Sequence, residues 1–326
     1  MVEDWRRFEW MGLHKAMRTV VIEGTVVNYE PIRIGAGPGK ARFEPVDAVV
    51  IKIYDPKKGD YIPFIPGSSW KGLFRASAVR VARSRGLTEV CDGIPRKTCL
   101  EGREFDGIER RNLGMKEVEE KVKSIIRGEI SICPVCLIFG SPGILSHITV
   151  YDSIPTSDYK LGYRTCVAID RRTGSAAKGA LYSIEYVEPM CRFSFRLDAE
   201  NTPNYCLGLI SRVLYEVNYG VVRVGGSKSR GFGRVKIEDL KIKVYSLDHE
   251  KYGVHEKTLR GLDPIDKSVP WPGSPPERGM ARVEGEKAWN FLDGLMEAWK
   301  NSLSVLKEIS REGKWRWELA LQRIQT

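Results

Sequence analysis

At 326 residues the chain is long enough to bury a sizeable core, as one elaborated domain or two ordinary ones. Lys plus Arg total 52 against 42 Asp plus Glu, and the resulting net charge of +10 and pI near 9.2 point to a polyanionic partner, whether RNA, DNA or an anionic membrane. The first twenty residues carry Glu3, Asp4, Arg6, Arg7 and Glu9 without an unbroken apolar run, and nothing later could span a bilayer, so a signal peptide and a membrane role are set aside and a cytoplasmic protein is expected.

Residues 19–34 are β-branched and roughly alternating, which predicts a strand continuing past a bend; Gly35, Gly37 and Gly39 then break it. A second extended stretch, residues 46–54, ends in the turn Asp55-Pro-Lys-Lys-Gly59. Phe64-Ile-Pro-Gly67 stops the next strand, Ser68 or Ser69 is placed to cap, and residues 70–85 predict a basic amphipathic helix closed by Gly86, with Leu73, Phe74, Ala78 and Val81 inward.

Residues 91–146 read as an insertion with one polar helix near 116–127 and little other hydrophobic periodicity, so its order is expected to come from something other than a core. That something is metal. Cys91 and Cys99, with Cys133-Pro-Val-Cys136, supply four thiolates for a tetrahedral, structural Zn²⁺ with no open position. His147 is an alternative ligand or an ordinary strand-edge histidine. A composition with only two glutamines, Gln322 and Gln325, and long runs of mixed charge suggests a source that lives hot, which keeps a disulfide as a second reading of the cysteines.

Residues 148–151 and 180–197 predict strands around a basic, small-residue loop, Asp170-Arg-Arg-Thr-Gly-Ser-Ala-Ala-Lys178, which reads as a projecting hairpin. Residues 203–219 predict a helix and 235–245 a closing strand. The order strand, helix, strands, helix, strand fits an α+β fold with a ferredoxin-like, RNA-recognition-type antiparallel sheet, two helices covering one face and the other face free. Beyond Leu247, Pro264, Pro270, Pro272, Pro275 and Pro276 read as a stiff linker, 248–283, before a helical extension, 284–326. Its stripe of Leu292, Leu295, Met296, Trp299, Leu303 and Leu306 would dock either on its own core or on a partner subunit.

The run Val224-Gly-Gly-Ser-Lys-Ser-Arg-Gly-Phe-Gly-Arg234 interleaves glycines with Lys228, Arg230 and Arg234. Glycine permits positive φ and brings backbone N–H groups against phosphates while the cations supply charge; a tight helix-to-strand connection is the plainer reading. With Ile65-Pro-Gly-Ser-Ser-Trp-Lys-Gly-Leu-Phe-Arg75, this run resembles the RAMP superfamily of CRISPR-associated proteins, whose helix-entry motif and C-terminal glycine-rich motif occur in the same order. Similarity covers about residues 19–245, the cysteine insertion included as a family option, and extends to Ile169-Asp-Arg-Arg-Thr-Gly174, which looks like the thumb of the backbone subunit of type III effector complexes.

The resemblance implies a domain over residues 1–247, with the zinc-bearing insertion at 91–147 and a thumb hairpin at 158–186. It implies a guide-RNA-binding subunit that stacks along the guide, with target RNA, other complex subunits and further copies of itself as partners. RNA-backbone contacts are expected from Ser68, Ser69, Lys71, Arg75, Arg171, Arg172, Lys178, Gly225, Gly226, Lys228, Ser229 and Arg230. Several members also cut target RNA with an acidic residue and a divalent metal; the matching position is Asp47, which would help hold Mg²⁺, and Glu44, Asp55 and Asp60 are nearby alternatives. Two other roles stay open: a non-catalytic scaffold or capping paralogue, and a stand-alone guide-maturing endoribonuclease. The second would lean on His14, His147, His249 or His255.

Overall fold

In the computed structural model, which describes residues 4–35, 48–93, 98–99, 115–142, 144–311 and 314–322, the first β-branched run forms β1 (Thr19–Asn28), with Val20, Val21, Ile22, Val26 and Val27 buried. β2 (Lys52–Asp55) and β3 (Asp60–Pro63) make a hairpin, and α1 (Gly67–Ser84) follows. α2 (Met115–Ile126) and α3 (Pro134–Phe139) belong to the cysteine-bearing segment. After β4 (Ile148–Val150) comes a long hairpin of β5 (Leu161–Ile169) and β6 (Ala176–Val187), then β7 (Arg192–Glu200), α4 (Asn204–Asn218) and β8 (Val235–Tyr245). The remainder holds β9 (Val254–His255), β10 (Thr258–Leu259), β11 (Val269–Pro270), β12 (Met280–Glu284) and the long α5 (Glu286–Ile309).

The central sheet has the order β12-β8-β1-β7-β4, and every neighbouring pair is antiparallel. Its two faces follow from alternation. Phe193, Phe195, Leu197, Val235, Ile237, Ile242 and Val244 point into the core, where Trp70 and Phe74 of α1 meet Phe195 at ring-centroid distances of 5.3 and 6.3 Å. The opposite face is polar. There Arg192 pairs with Glu238 at 2.7 Å, Arg196 with Asp198 at 2.8 Å, and Lys243 with Glu23 at 2.7 Å. Such exposed pairs add little stability, but they cancel the charge of the face that was expected to be open to RNA.

Three expectations need correcting. The α1 entrance carries no serine cap: the helix begins at Gly67, and Asp152, next to β4, accepts the Gly67 N–H at 2.7 Å. A Cβ on Gly67 would stand 2.0 Å from the Val150 carbonyl oxygen, so glycine is what lets α1 start against that strand. The described part of the insertion is not coreless. Val122, Ile125, Ile126, Ile132, Leu137, Ile138 and Phe139 join the single hydrophobic core, because α2 packs its apolar stripe on the N-terminal turn Asp4–Gly12 and all of α3 is buried.

Nor do residues 248–283 behave as a stiff spacer. They form a small sheet, β11-β10-β9, bury Val254, Leu259, Val269 and Trp271, and supply β12, the edge strand beside β8. Of the prolines in this stretch only Pro270 falls in a strand, on β11 at the margin of the small sheet, where a missing N–H is tolerated. The α5 stripe resolves toward the chain's own core: Leu292, Leu295, Trp299, Leu303 and Leu306 are buried, and Trp315 and Trp317 donate their indole N–H groups to the carbonyls of Glu89 and Ile132 at 2.8 and 3.0 Å. No helix among the described residues is long and apolar enough to cross a membrane.

Candidate RNA interface and cysteine cluster

The glycine-rich loop joins α4 to β8, and its shape is set by left-handed backbone at Gly225, Ser227, Gly231 and Gly233. Val224 N–H donates to the Gly233 carbonyl at 2.8 Å, closing the neck. Gly226 and Gly233 donate to the carbonyls of Arg33 and Pro31 at 2.7 and 2.9 Å, which ties the loop to the segment leaving β1. Arg223 pairs with Glu30 at the stem. What remains outside is the tip: Lys228, Ser229 and Arg230 form an exposed 3-10 turn.

A side chain at Gly233 would violate both backbone and space, since φ is +90° and a Cβ would lie 2.2 Å from the Val224 carbonyl oxygen. Gly233→Ala is therefore expected to open the neck and weaken RNA binding at least about tenfold, the equivalent of losing a single net contact of ~1.4 kcal/mol, while far-UV circular dichroism stays unchanged. Unaltered affinity would show that the neck does not matter.

The β5–β6 hairpin is fixed to this loop by aromatic contacts. Phe232 packs edge-on against Tyr186 at 5.5 Å, the Arg164 guanidinium lies over Phe232 at 4.8 Å, and Arg230 reaches the Tyr182 hydroxyl. Beyond that base the hairpin projects, with Ile169 and Leu181 63 and 70 % exposed. Arg171 and Arg172 sit exposed at its tip, where Asp170 accepts the Arg172 N–H at 2.7 Å. Lys178 falls on β6, its side chain outside the described residues.

Beside β6 runs the segment that begins at Ala48. Its N–H donates to Ser183 O at 3.2 Å and its carbonyl accepts from Glu185 N–H at 2.9 Å. The Glu185 side chain is buried and gathers Val50 N–H, Lys52 Nζ and the Tyr163 hydroxyl at 2.9, 2.9 and 3.2 Å. Asp47 and Glu44 lie outside the described residues. Asp55 and Asp60 are turn carboxylates of the β2–β3 hairpin, accepting Lys57 and Tyr61 N–H groups at 2.9 and 2.6 Å.

At the α1 entrance Ser68 is exposed, while Ser69 and Lys71 are half-buried. Burial, and then the neighbouring Arg75, lower the Lys71 ammonium from its ordinary value, and neither cation pairs with a described carboxylate. The helix start is thus electropositive in itself. Arg75 faces inward. Its guanidinium donates to the Gly140 carbonyl at 2.7 Å and to Cys136 Sγ at 3.4 Å, which joins α1 to the cysteine cluster instead of to the loop.

Cys91, Cys99, Cys133 and Cys136 bring their sulfurs within 4.8 Å of one another, and all are free thiols. Cys133 caps α3, accepting the Cys136 N–H at 3.4 Å, and Cys99 accepts the Cys133 N–H at 3.2 Å. Burial pushes the Cys133 thiol up, whereas hydrogen bonds from Cys133, Cys91 and Cys99 hold Cys136 well below the usual thiol range. Four sulfurs closing on one point, with backbone N–H groups and a guanidinium aimed at them, are a donor set that fits a metal such as zinc. His147 is not part of it. That side chain is buried, edge-on to Trp10 at 5.3 Å with Nδ1 2.9 Å from the Glu200 carbonyl, and burial lowers it to about 4.

Three further residues complete the region. Arg33 anchors the loop through its carbonyl, and its guanidinium lies where a side-chain carbon on Gly35 or Gly226 would meet it at 3.3 or 3.4 Å, with a buried Nε unpartnered among the described residues. Glu185 and Asp152 organise the segment beside β6 and the α1 entrance. None of the three carries a local sequence signal: Arg33 stands between Ile32 and Ile34, and its role comes from the loop that folds back on its carbonyl. The family model of the RAMP superfamily matches residues 30–236. A search of curated proteins found no match.

Proposed function

The chain belongs to the RAMP superfamily, whose members have a CRISPR-associated, RNA-binding role, and on that premise we propose that it is a guide-RNA-binding backbone subunit of a type III CRISPR interference complex. The observation that carries this is the loop tip Lys228–Arg230, held open by four left-handed residues and set beside the base of a projecting hairpin. A backbone-gripping subunit needs cations on a preformed turn and no base-reading side chains, because pairing supplies the sequence specificity. The exposed aliphatics on the thumb suit insertion between bases. Strand order β8-β1-β7-β4, with α1 and α4 between strands, supports a ferredoxin-like plan for the domain.

Guide RNA, target RNA and other subunits of the complex are the partners of this reading, with zinc in the cysteine cluster as a structural ion. Asp47, with Mg²⁺ or another divalent metal, is the proposed agent of target cleavage.

RNA affinity measured by fluorescence anisotropy across a salt series tests the grip. Lys228→Ala with Arg230→Ala is expected to reduce the magnitude of the slope of log K against log salt by about 1.4, two phosphate contacts on a single strand. An unchanged slope would remove the loop tip from the interface. Sequencing the RNA that accompanies the protein from its native cells tests the class, and RNA without CRISPR-derived guides would refute it. For the assembled complex with complementary RNA and Mg²⁺, regularly spaced cuts are expected that Asp47→Ala abolishes; binding without cuts would leave a non-catalytic subunit.

A further inference from the structure

Beyond β8 the chain places His249, Glu250 and His255 so that one ligand atom of each lies within 4.8 Å of the others. We infer that these three residues form a second metal site, separate from the cysteine cluster and specific for a borderline first-row cation of the Zn²⁺ class. Two imidazoles and one carboxylate are nitrogen-rich donors that suit Zn²⁺, Co²⁺ or Ni²⁺, whereas Mg²⁺ and Ca²⁺ seek oxygen. Three protein ligands leave at least one position for water, so the ion held here is exchangeable where a four-thiolate ion is not.

The ligands are preorganised by backbone contacts. His249 and Glu250 ride a turn in which Tyr252 and Gly253 N–H groups donate to the carbonyls of Asp248 and His249 at 2.9 and 3.1 Å. His255 sits on the β9–β10 hairpin, whose two turn residues, Glu256 and Lys257, are both left-handed at φ +45° and +59°. Hairpin turns of this kind ordinarily use Asn-Gly, and holding two larger residues there costs energy that a functional role would justify. Gly253 lets the two ligand segments touch, since a Cβ there would stand 2.8 Å from His249 Cα.

The rings of His249 and His255 lie 6.4 Å apart, half-buried, with the carboxylate of Glu256 3.7 Å from His255 Nε2 as an outer partner. Arg260 closes the far side, donating from Nε to the Glu250 carbonyl at 3.2 Å. A cation here would also stiffen the loop whose Tyr252 and Arg260 carbonyls receive the buried Arg18 guanidinium, at 3.4 and 2.5 Å. The site stands at the Thr19 end of β1, while the glycine-rich loop stands at the Asn28 end, roughly 30 Å away at strand rise.

Native mass spectrometry of the full chain equilibrated with excess Zn²⁺ is the test. Wild type is expected to carry two ions, and His249→Ala with His255→Ala one. Because that double variant could disturb the hairpin, Glu250→Ala, at an exposed position, serves as a second probe and should weaken the exchangeable ion at least about tenfold, the scale of losing even an outer-shell partner. Co²⁺ separates the two sites: a thiolate charge-transfer band reports the cysteines, and its absence would refute their assignment while leaving this one intact. Equal ion counts in wild type and the histidine variant, or a Zn²⁺ affinity indifferent to Glu250, would overturn the second site.

Discussion

Stripping the metal with a strong chelator, or replacing Cys133 and Cys136 together by serine, is expected to release one tightly held zinc ion per chain and lower the unfolding midpoint by about 10 °C or more. Structural zinc sites bind with apparent free energies on the order of 10 kcal/mol, and ~7 kcal/mol of that, at roughly 1.5 °C per kcal/mol for a chain of this length melting as one block, suffices for this shift. The effect falls short of unfolding because the insertion also contributes Val122, Ile125, Ile132 and Leu137 to the common core. Loss should propagate to α1, since Arg75 would keep its bond to Gly140 but lose the sulfur charge at Cys136. Substoichiometric zinc in native protein, with melting indifferent to chelation, would rule the metal out.

Arg18→Met should destabilise the fold by about 3–5 kcal/mol, the range for removing one partner of a buried charge pair. Arg18 is fully enclosed. It donates to the Thr202 carbonyl at 2.6 Å, to Asn204 Oδ1 at 2.8 Å and to the Arg260 carbonyl at 2.5 Å, with Asp266 3.9 Å away. Burial raises Asp263 to about 7 and Asp266 to about 6, the Asp266 shift being opposed by the charge of Arg18. Carboxylates raised in the folded state contribute stability that is complete below their ordinary range near 4 and is lost as pH climbs through 6 and 7. The variant, having no cation to offset them, should therefore lose more stability at pH 8 than at pH 5.5. Chemical denaturation at both values decides it, and equal losses would mean that the guanidinium acts through its neutral hydrogen bonds alone.

The elements that sequence made legible are those whose signals are local. Residues 235–245 alternate, residues 203–219 repeat at helical spacing, and Gly86 closes α1, so β8, α4 and α1 emerge within a few residues of expectation. The cysteines were equally readable, because a Cys-x-x-Cys knuckle admits few uses. What sequence hid were partners across the fold. Nothing around Gly67 announces that Asp152 will accept its N–H, and nothing in the α1 motif says that Arg75 turns toward sulfur while Lys71 remains unpaired by described carboxylates. Of the prolines of 264–276 only Pro270 lies in a strand, β11, and the strand that covers β8, Met280–Glu284, holds none of them, so reading the prolines as a spacer missed a pairing decided by the open edge of β8.

Gly208 has a consequence for how the chain comes apart. An added Cβ there would stand 2.0 Å from the Leu295 carbonyl oxygen, so the backbones of α4 and α5 are in contact, and β12 at the same time covers the margin of β8. The stretch that matches the superfamily is consequently no autonomous folding module. Trimmed of its C-terminal third it would bare an unsatisfied strand and a greasy helix flank, and it should aggregate, whereas the intact polypeptide should melt as one cooperative block.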